Sequence, residues 1–253
     1  MAYYTMVKKG YISEVFGSFQ GEGPYVGERH VFVRFCGCNL DCSYCDTRYA
    51  LERPPFARVE CGPGGQAASL PNPLTVHDVV RAVMSQEVVP GFNSAVSVTG
   101  GEPLLQAGFL RDLLAGLDGR FRVLLETNGT LAGAFMKVRD KVDVVSMDIK
   151  LPSASGTGSL WRKHACFLDA CAGMEVVVKA VVSPDTPVGE VERAARLVAE
   201  RAEGSLFVIQ PVSVGGVSMH DMGVRFEDYY MAAKAFVKRV RVIPQMHGCL
   251  GVK

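Results

Sequence analysis

No stretch of the chain approaches the roughly 18 consecutive apolar residues that a membrane-spanning helix needs, although 48% of its 253 residues are hydrophobic. The opening residues, Met1-Ala2-Tyr3-Tyr4-Thr5-Met6-Val7-Lys8-Lys9, also lack the apolar core of a secretory leader. A cytoplasmic chain is therefore expected. Nor is there an excess of charge of either sign: 27 Lys and Arg against 26 Asp and Glu leave a formal net charge of +1. That balance advertises neither a nucleic-acid backbone nor an anionic membrane as the main partner, which favours small-molecule chemistry. There is no internal repeat and no domain linker. Residues 1–253 are expected to form one domain, and the apolar content is ample for its core.

Eight cysteines are present, but a chain kept in a reducing compartment uses thiols for metal ligation rather than for disulfides. Three of them fall in one short loop, Gly37-Cys38-Asn39-Leu40-Asp41-Cys42-Ser43-Tyr44-Cys45-Asp46-Thr47, directly after the apolar run Val31–Phe35. The spacing Cys-x3-Cys-x2-Cys has no fourth ligand to match it. A closed zinc site wants four protein ligands, whereas an iron–sulfur cluster held by three thiolates exposes one iron to a small molecule. A cluster is the first reading, and a non-catalytic zinc-binding module is the alternative. Cys36 points along the preceding strand and is read as a bystander. Cys61, Cys166, Cys171 and Cys249 have no ligand spacing, and His30, His77, His164 and His220 default to surface or satisfied histidines.

Apolar, β-branched runs alternate with helical patterns along the chain. Tyr11–Phe16, Val31–Phe35, Ala95–Val98, Phe121–Glu126, Val142–Met147, Met174–Val182, Leu206–Ile209 and Val240–Ile243 read as strands. Thr75 with Asp78 three residues on predicts a capping box opening a helix over Val76–Ser85; Ala107–Leu117, Val188–Arg201 and Phe226–Lys238 are further amphipathic candidates. Such alternation implies βαβ units and a mostly parallel α/β sheet, with ligand chemistry at the carboxyl ends of the strands. About six strands fit the length. The cysteine loop, Thr99-Gly100-Gly101-Glu102-Pro103 and Thr127-Asn128-Gly129 all fall on that rim. The Pro- and Gly-rich segment at about 50–74 reads as a loop insertion, and Val212–Val224 as a second irregular loop.

The cysteine spacing, with Tyr44 just before the third cysteine, resembles the radical S-adenosylmethionine (SAM) superfamily, and Thr99–Pro103 resembles its SAM-amino-group motif. Ser18-Phe19-Gln20-Gly21-Glu22-Gly23, Phe-Val-Arg-x-x-Gly-Cys-Asn-Leu and Cys-Asp-Thr narrow the likeness to the 7-carboxy-7-deazaguanine synthase family. It recurs at Glu126–Gly129, Asp148–Pro152, Gln210-Pro211 and Gln245–His247. The resemblance implies a partial, open (β/α)6-type barrel and a lyase that turns 6-carboxy-5,6,7,8-tetrahydropterin into 7-carboxy-7-deazaguanine, with ring contraction and loss of ammonia. It also implies a 4Fe-4S cluster on Cys38, Cys42 and Cys45, and Mg2+ on Thr47. SAM would lie against Tyr44, Cys45, Asp46, Gly101, Glu102, Asp148, Ile149 and Lys150. The pterin would meet Phe19, Gln20, Gly21, Arg34, Thr99, His247 and, through its terminal carboxylate, Lys253. A flavodoxin or ferredoxin reductant, a homodimer and a place in queuosine biosynthesis belong to the same implication. A glycyl-radical-enzyme activase shares this style of cysteine loop and is the alternative among enzymes.

Overall fold

The computed structural model describes residues 8–117, 119–213 and 225–252. Its strands are β1 Lys9–Gly10, β2 Ile12–Phe19, β3 Arg29–Phe35, β4 Phe56–Glu60, β5 Ala67–Pro71, β6 Leu74–Thr75, β7 Ala95–Gly100, β8 Arg122–Thr127, β9 Val144–Ile149, β10 Glu175–Val182, β11 Leu206–Pro211 and β12 Arg239–Val242. The helices are α1 Val76–Ser85, α2 Ala107–Gly116, α3 Ala132–Phe135, α4 Pro152–Ser155, α5 Trp161–Ala170, α6 Val188–Arg201, α7 Phe226–Lys234 and α8 His247–Leu250.

Ten strands form one sheet in the order β12-β11-β10-β9-β8-β7-β3-β2-β4-β5. From β3 through β7 to β12 every neighbouring pair is parallel, so seven parallel strands stand where about six were expected. The short edge strand β12, four residues long, falls on the run expected at Val240–Ile243. Its edge and that of β5 do not pair with each other. The sheet is thus open, and β2 extends it antiparallel to β3.

Period-two alternation divides each parallel strand between two faces. One face carries Val31, Val33 and Phe35, Val96 and Val98, Val123 and Leu125, Val145 and Met147, and Val178, Ala180 and Val182. These pack into one buried cluster with Val79 and Val83 of α1, Leu110 and Leu113 of α2, Phe167 and Leu168 of α5, and Val191 and Val198 of α6. The capping box that opens α1 is present, with Asp78 N donating to Thr75 Oγ1 and Thr75 N donating to the Asp78 carboxylate.

The segment at about 50–74 is not simply a loop. It contains the antiparallel hairpin β4–β5, which extends the sheet beyond β2. Ala57 and Val59 are buried while Phe56 and Arg58 are exposed; with only two inward residues, one of them alanine, and an outward phenylalanine, the apolar alternation is too faint to stand out. Gly62 and Gly64 turn the hairpin at φ +87° and +66°. Of the loop expected over Val212–Val224, positions 214–224 lie outside the described residues. No helix among the described residues is long and apolar enough to cross a membrane.

Candidate active site

The opposite face of the same strands carries a small apolar cluster of Val177, Leu206 and Val208 and turns polar towards the carboxyl ends. The registers Arg34↔Thr99, Glu126↔Ser146 and Asp148↔Lys179 set these side chains side by side near the carboxyl ends. With Gln210 they form one wall of a cavity of about 330 Å³, and the cysteine loop forms another. Cys38, Cys42 and Cys45 all line it, as do Tyr44, Asp46, Thr47 and Gly101; Cys36 does not.

The cysteine loop is fixed by bonds along its whole length. Gly37, at φ +88°, donates from its N–H to Ala50 O at 2.7 Å and accepts from Glu102 N at 2.8 Å. Asn39 donates to Thr130 Oγ1 at 2.9 Å and accepts from Asn128 Nδ2 at 3.0 Å, while Ser43 is held to Ala154 O at 2.7 Å. A Cβ on Gly101 would lie 2.2 Å from Gly37 O. Only glycine lets the two loops touch there. Burial pushes the Cys38 and Cys42 thiols up from their ordinary value, so a positive metal centre is what would hold them as thiolates.

Behind the wall stands a chain of buried charges. Lys150 Nζ lies 2.9 Å from Asp148 Oδ2 and 5.0 Å from the centre of the Tyr44 ring. Burial alone would lower the Lys150 ammonium, but Asp148 outweighs it and holds it well above the usual lysine range. Lys179 is paired with Glu22 and lies 3.7 Å from Asp148 Oδ2. Burial would raise the Glu22 carboxyl, yet the Lys179 charge and the hydrogen bonds from Lys179 and Gln245 hold it down at about 2. Gln210 and Gln245 donate to Glu22 Oε1 at 3.3 and 2.5 Å.

Two buried acceptors in this wall, Asp148 Oδ1 and Gln210 Oε1, have no hydrogen-bond partner among the described residues. Orphans of that kind mark a cavity shaped for a polar ligand. Among the described residues, no three histidine, cysteine or carboxylate side chains converge on a point for a single metal ion. A cluster spreads its thiolate ligands further apart than one ion does, which suits three thiols set round a cavity. The donor set fits a cluster with a polar ligand beside it.

The Radical SAM superfamily profile matches residues 32–206. Over 242 residues the chain is 37% identical to the 7-carboxy-7-deazaguanine synthase of Geobacter sulfurreducens, covering 95% of this chain and 96% of that protein. The identity to the enzyme of the same name from Methanopyrus kandleri is also 37%, with 93% and 91% covered. This chain belongs to the 7-carboxy-7-deazaguanine synthase family of radical SAM enzymes. The crystal structure of QueE from Escherichia coli superposes with a TM-score of 0.56 at 18% identity, covering 92% of this chain and 93% of that one. Membership brings a 4Fe-4S cluster and SAM, and it favours this family over the zinc-module and activase alternatives.

Within this family member, the remaining expected residues divide clearly. Phe19, Gln20, Gly21, Arg34, Thr99, Asp148, Lys150 and His247 line the cavity. A Cβ on Gly21 would come within 2.8 Å of the His247 side chain, so glycine there admits the C-terminal segment. Gln20 Nε2 donates to Glu126 Oε1 at 2.9 Å, and Arg34 Nε donates to Glu14 Oε1 at 2.9 Å. Ile149 and Glu102 stand apart from that lining. The Ile149 side chain belongs to the helix-facing core, because it is one residue out of phase with Asp148. Glu102 is fully buried and outside the lining; its carboxylate accepts from Leu104 N, Thr127 Oγ1 and Asn128 N at 3.1, 2.9 and 2.8 Å. Burial raises that carboxyl to about 7 despite these donors. Lys253 lies outside the described residues.

Glu22, Glu126, Ser146 and Lys179 were not singled out from sequence. For the last three a signal was there: Val-Ser-Met-Asp alternates apolar and polar residues, while Leu-Leu-Glu-Thr and Val-Val-Lys-Ala set a charge inside an otherwise apolar strand. His164 is buried and satisfied. Its Nε2 accepts from Lys150 N at 3.2 Å, so Nδ1 carries the hydrogen and donates to Gly129 O at 3.2 Å. Burial holds its pKa down at about 4.

Proposed function

We propose that the chain, as one radical SAM domain, converts 6-carboxy-5,6,7,8-tetrahydropterin to 7-carboxy-7-deazaguanine, with ring contraction and loss of ammonia, on the way to queuosine or another 7-deazapurine. The convergence of three cluster-spaced thiols and a row of buried polar side chains on one cavity carries this reading. Cys38, Cys42 and Cys45 would hold the cluster. Tyr44, Asp46, Gly101, Asp148 and Lys150 would hold SAM. When bound, the pair supplies one-electron chemistry at a carbon–hydrogen bond, which side chains alone cannot supply.

The protein's own contribution is positioning and exclusion of water. The Arg34 guanidinium, anchored through Nε, offers a fork to a substrate carboxylate. Gln20, Thr99 and His247 would present polar atoms to the pterin ring, Phe19 an apolar surface, and Lys253 its terminal carboxylate. Thr47, beside Asp46 on the cavity wall, offers a hydroxyl to Mg2+; a hard ion completed by substrate carboxylate and waters suits such a sparse protein set. We further propose a cytoplasmic homodimer fed by a flavodoxin or ferredoxin.

Anaerobic incubation of the reconstituted protein with the tetrahydropterin, SAM, Mg2+ and a reductant tests the reading, with 7-carboxy-7-deazaguanine detected by mass. Reductive SAM cleavage with no deazaguanine would move the chain to a different radical SAM substrate.

A further inference from the structure

Each chain neighbour of Cys38 lies close to an element that reaches a surface groove. Leu105 Cδ1 stands 3.8 Å from where a Cβ on Gly37 would lie. Asn39 donates to Thr130, and Thr130 leads directly into Leu131. Leu105 and Leu131 line the same groove, with Lys9 and Lys137 in its wall. The segment carrying Cys38 therefore stands next to both the cavity and the groove.

The charge in this groove is of one sign. Lys9 and Lys137 line it without any carboxylate, and Arg111 joins them by donating to Lys137 O at 2.9 Å. Asp112, beside Arg111 on α2, is already paired with Lys8 at 2.8 Å. Lys9, Arg111 and Lys137 are exposed. So are Leu105, at 44%, and Met136 beside Lys137, at 56%. An apolar centre with a charged rim is the usual anatomy of a protein–protein contact.

We propose that this groove is the docking face for a small acidic one-electron carrier protein, which delivers its electron across the Gly37–Asn39 segment to a cluster held by Cys38. The inference rests on the radical SAM reading. SAM and substrate fill the cavity side, so a protein donor must approach from outside it, and the groove is where the cysteine loop meets the surface through apolar and cationic side chains. Cations on long stems steer an acidic partner and raise its rate of encounter, and salt screens that effect.

The test uses the reconstituted holoenzyme and a triple variant, Lys9→Glu, Arg111→Glu and Lys137→Glu. Cluster reduction is followed by loss of visible absorbance, with a reduced acidic flavodoxin and, separately, with photoreduced deazaflavin as a small donor that needs no docking. At low salt the triple variant should take electrons from flavodoxin at least tenfold more slowly and lose the salt dependence, while deazaflavin reduces it at the wild-type rate and its iron content is unchanged. Arg196→Glu, on α6, should alter neither rate. An unchanged flavodoxin rate in the triple variant would overturn the proposal. So would an equal loss with both donors, which would place the three residues in the cluster's environment instead. If wild-type protein cleaves no SAM with either donor, the radical SAM reading itself fails.

Discussion

Leu125 and Glu126 are adjacent on β8 and live in different worlds. Leu125 is fully buried against the helices, whereas Glu126 faces the cavity and accepts from Gln20. The same division runs through β3, β7, β9 and β10. Packing on the helix side is non-directional and counts buried area, while the cavity side depends on each charge finding its partner. One strand thus carries stability and chemistry on alternate residues, and substitutions one position apart should fail in different ways.

The sharpest contrast is among the thiols. Cys42→Ala should lose cluster iron and all turnover, as should Cys38→Ala and Cys45→Ala, because no local thiol replaces a lost ligand. Cys36→Ala should retain iron, since Cys36 is buried outside the cavity lining. Iron analysis of the four variants decides, and iron lost from Cys36→Ala alone would reverse the assignment. Next in size, Leu125→Ala should cost about 2–5 kcal/mol of stability while the folded fraction keeps its KM. Glu126→Gln should do the opposite, with a nearly unchanged melting temperature and a raised KM for the pterin. Equal behaviour of the two would break the comparison between faces.

Lys179→Met removes the cation from Glu22. The Glu22 carboxyl is depressed in the folded state, so its stabilising contribution is full above the ordinary value of 4.5 and is lost as pH falls towards about 2. In the variant that cation no longer offsets the burial of Glu22, so stability at neutral pH should fall and the part of it lost between pH 4.5 and about 2 should shrink, with iron content retained. An unchanged acid transition would mean that Lys179 does not hold Glu22 down. Smallest of all, Thr47→Ala should raise the Mg2+ concentration needed for half-maximal pterin turnover several-fold and leave SAM cleavage intact. An unchanged Mg2+ titration would remove Thr47 from the metal site.

Legibility from sequence followed the strength of each physical signal. The cysteine loop and the Thr75–Asp78 box depend on side-chain chemistry at fixed spacing, and both are where the residues put them. Helix α5 went unread because His164 interrupts the apolar stripe that Trp161, Phe167 and Leu168 would otherwise complete. Only its hydrogen bonds to Gly129 and Lys150 explain why a histidine belongs there. Glu102 looked like a ligand-facing acid because its glycine-rich neighbours are. Its side chain instead turns inward to cap the backbone of the next rim loop, a direction that spacing alone does not encode.

The bond from Gln245 to Glu22 spans 223 positions of the chain, and Met246 N donates to Gly21 O beside it at 2.8 Å. On a ribosome, all three cluster thiols would emerge long before the segment that shuts the cavity over them. Until residue 245 is made, the cysteine loop of the nascent chain stands open to oxygen and to stray metal ions.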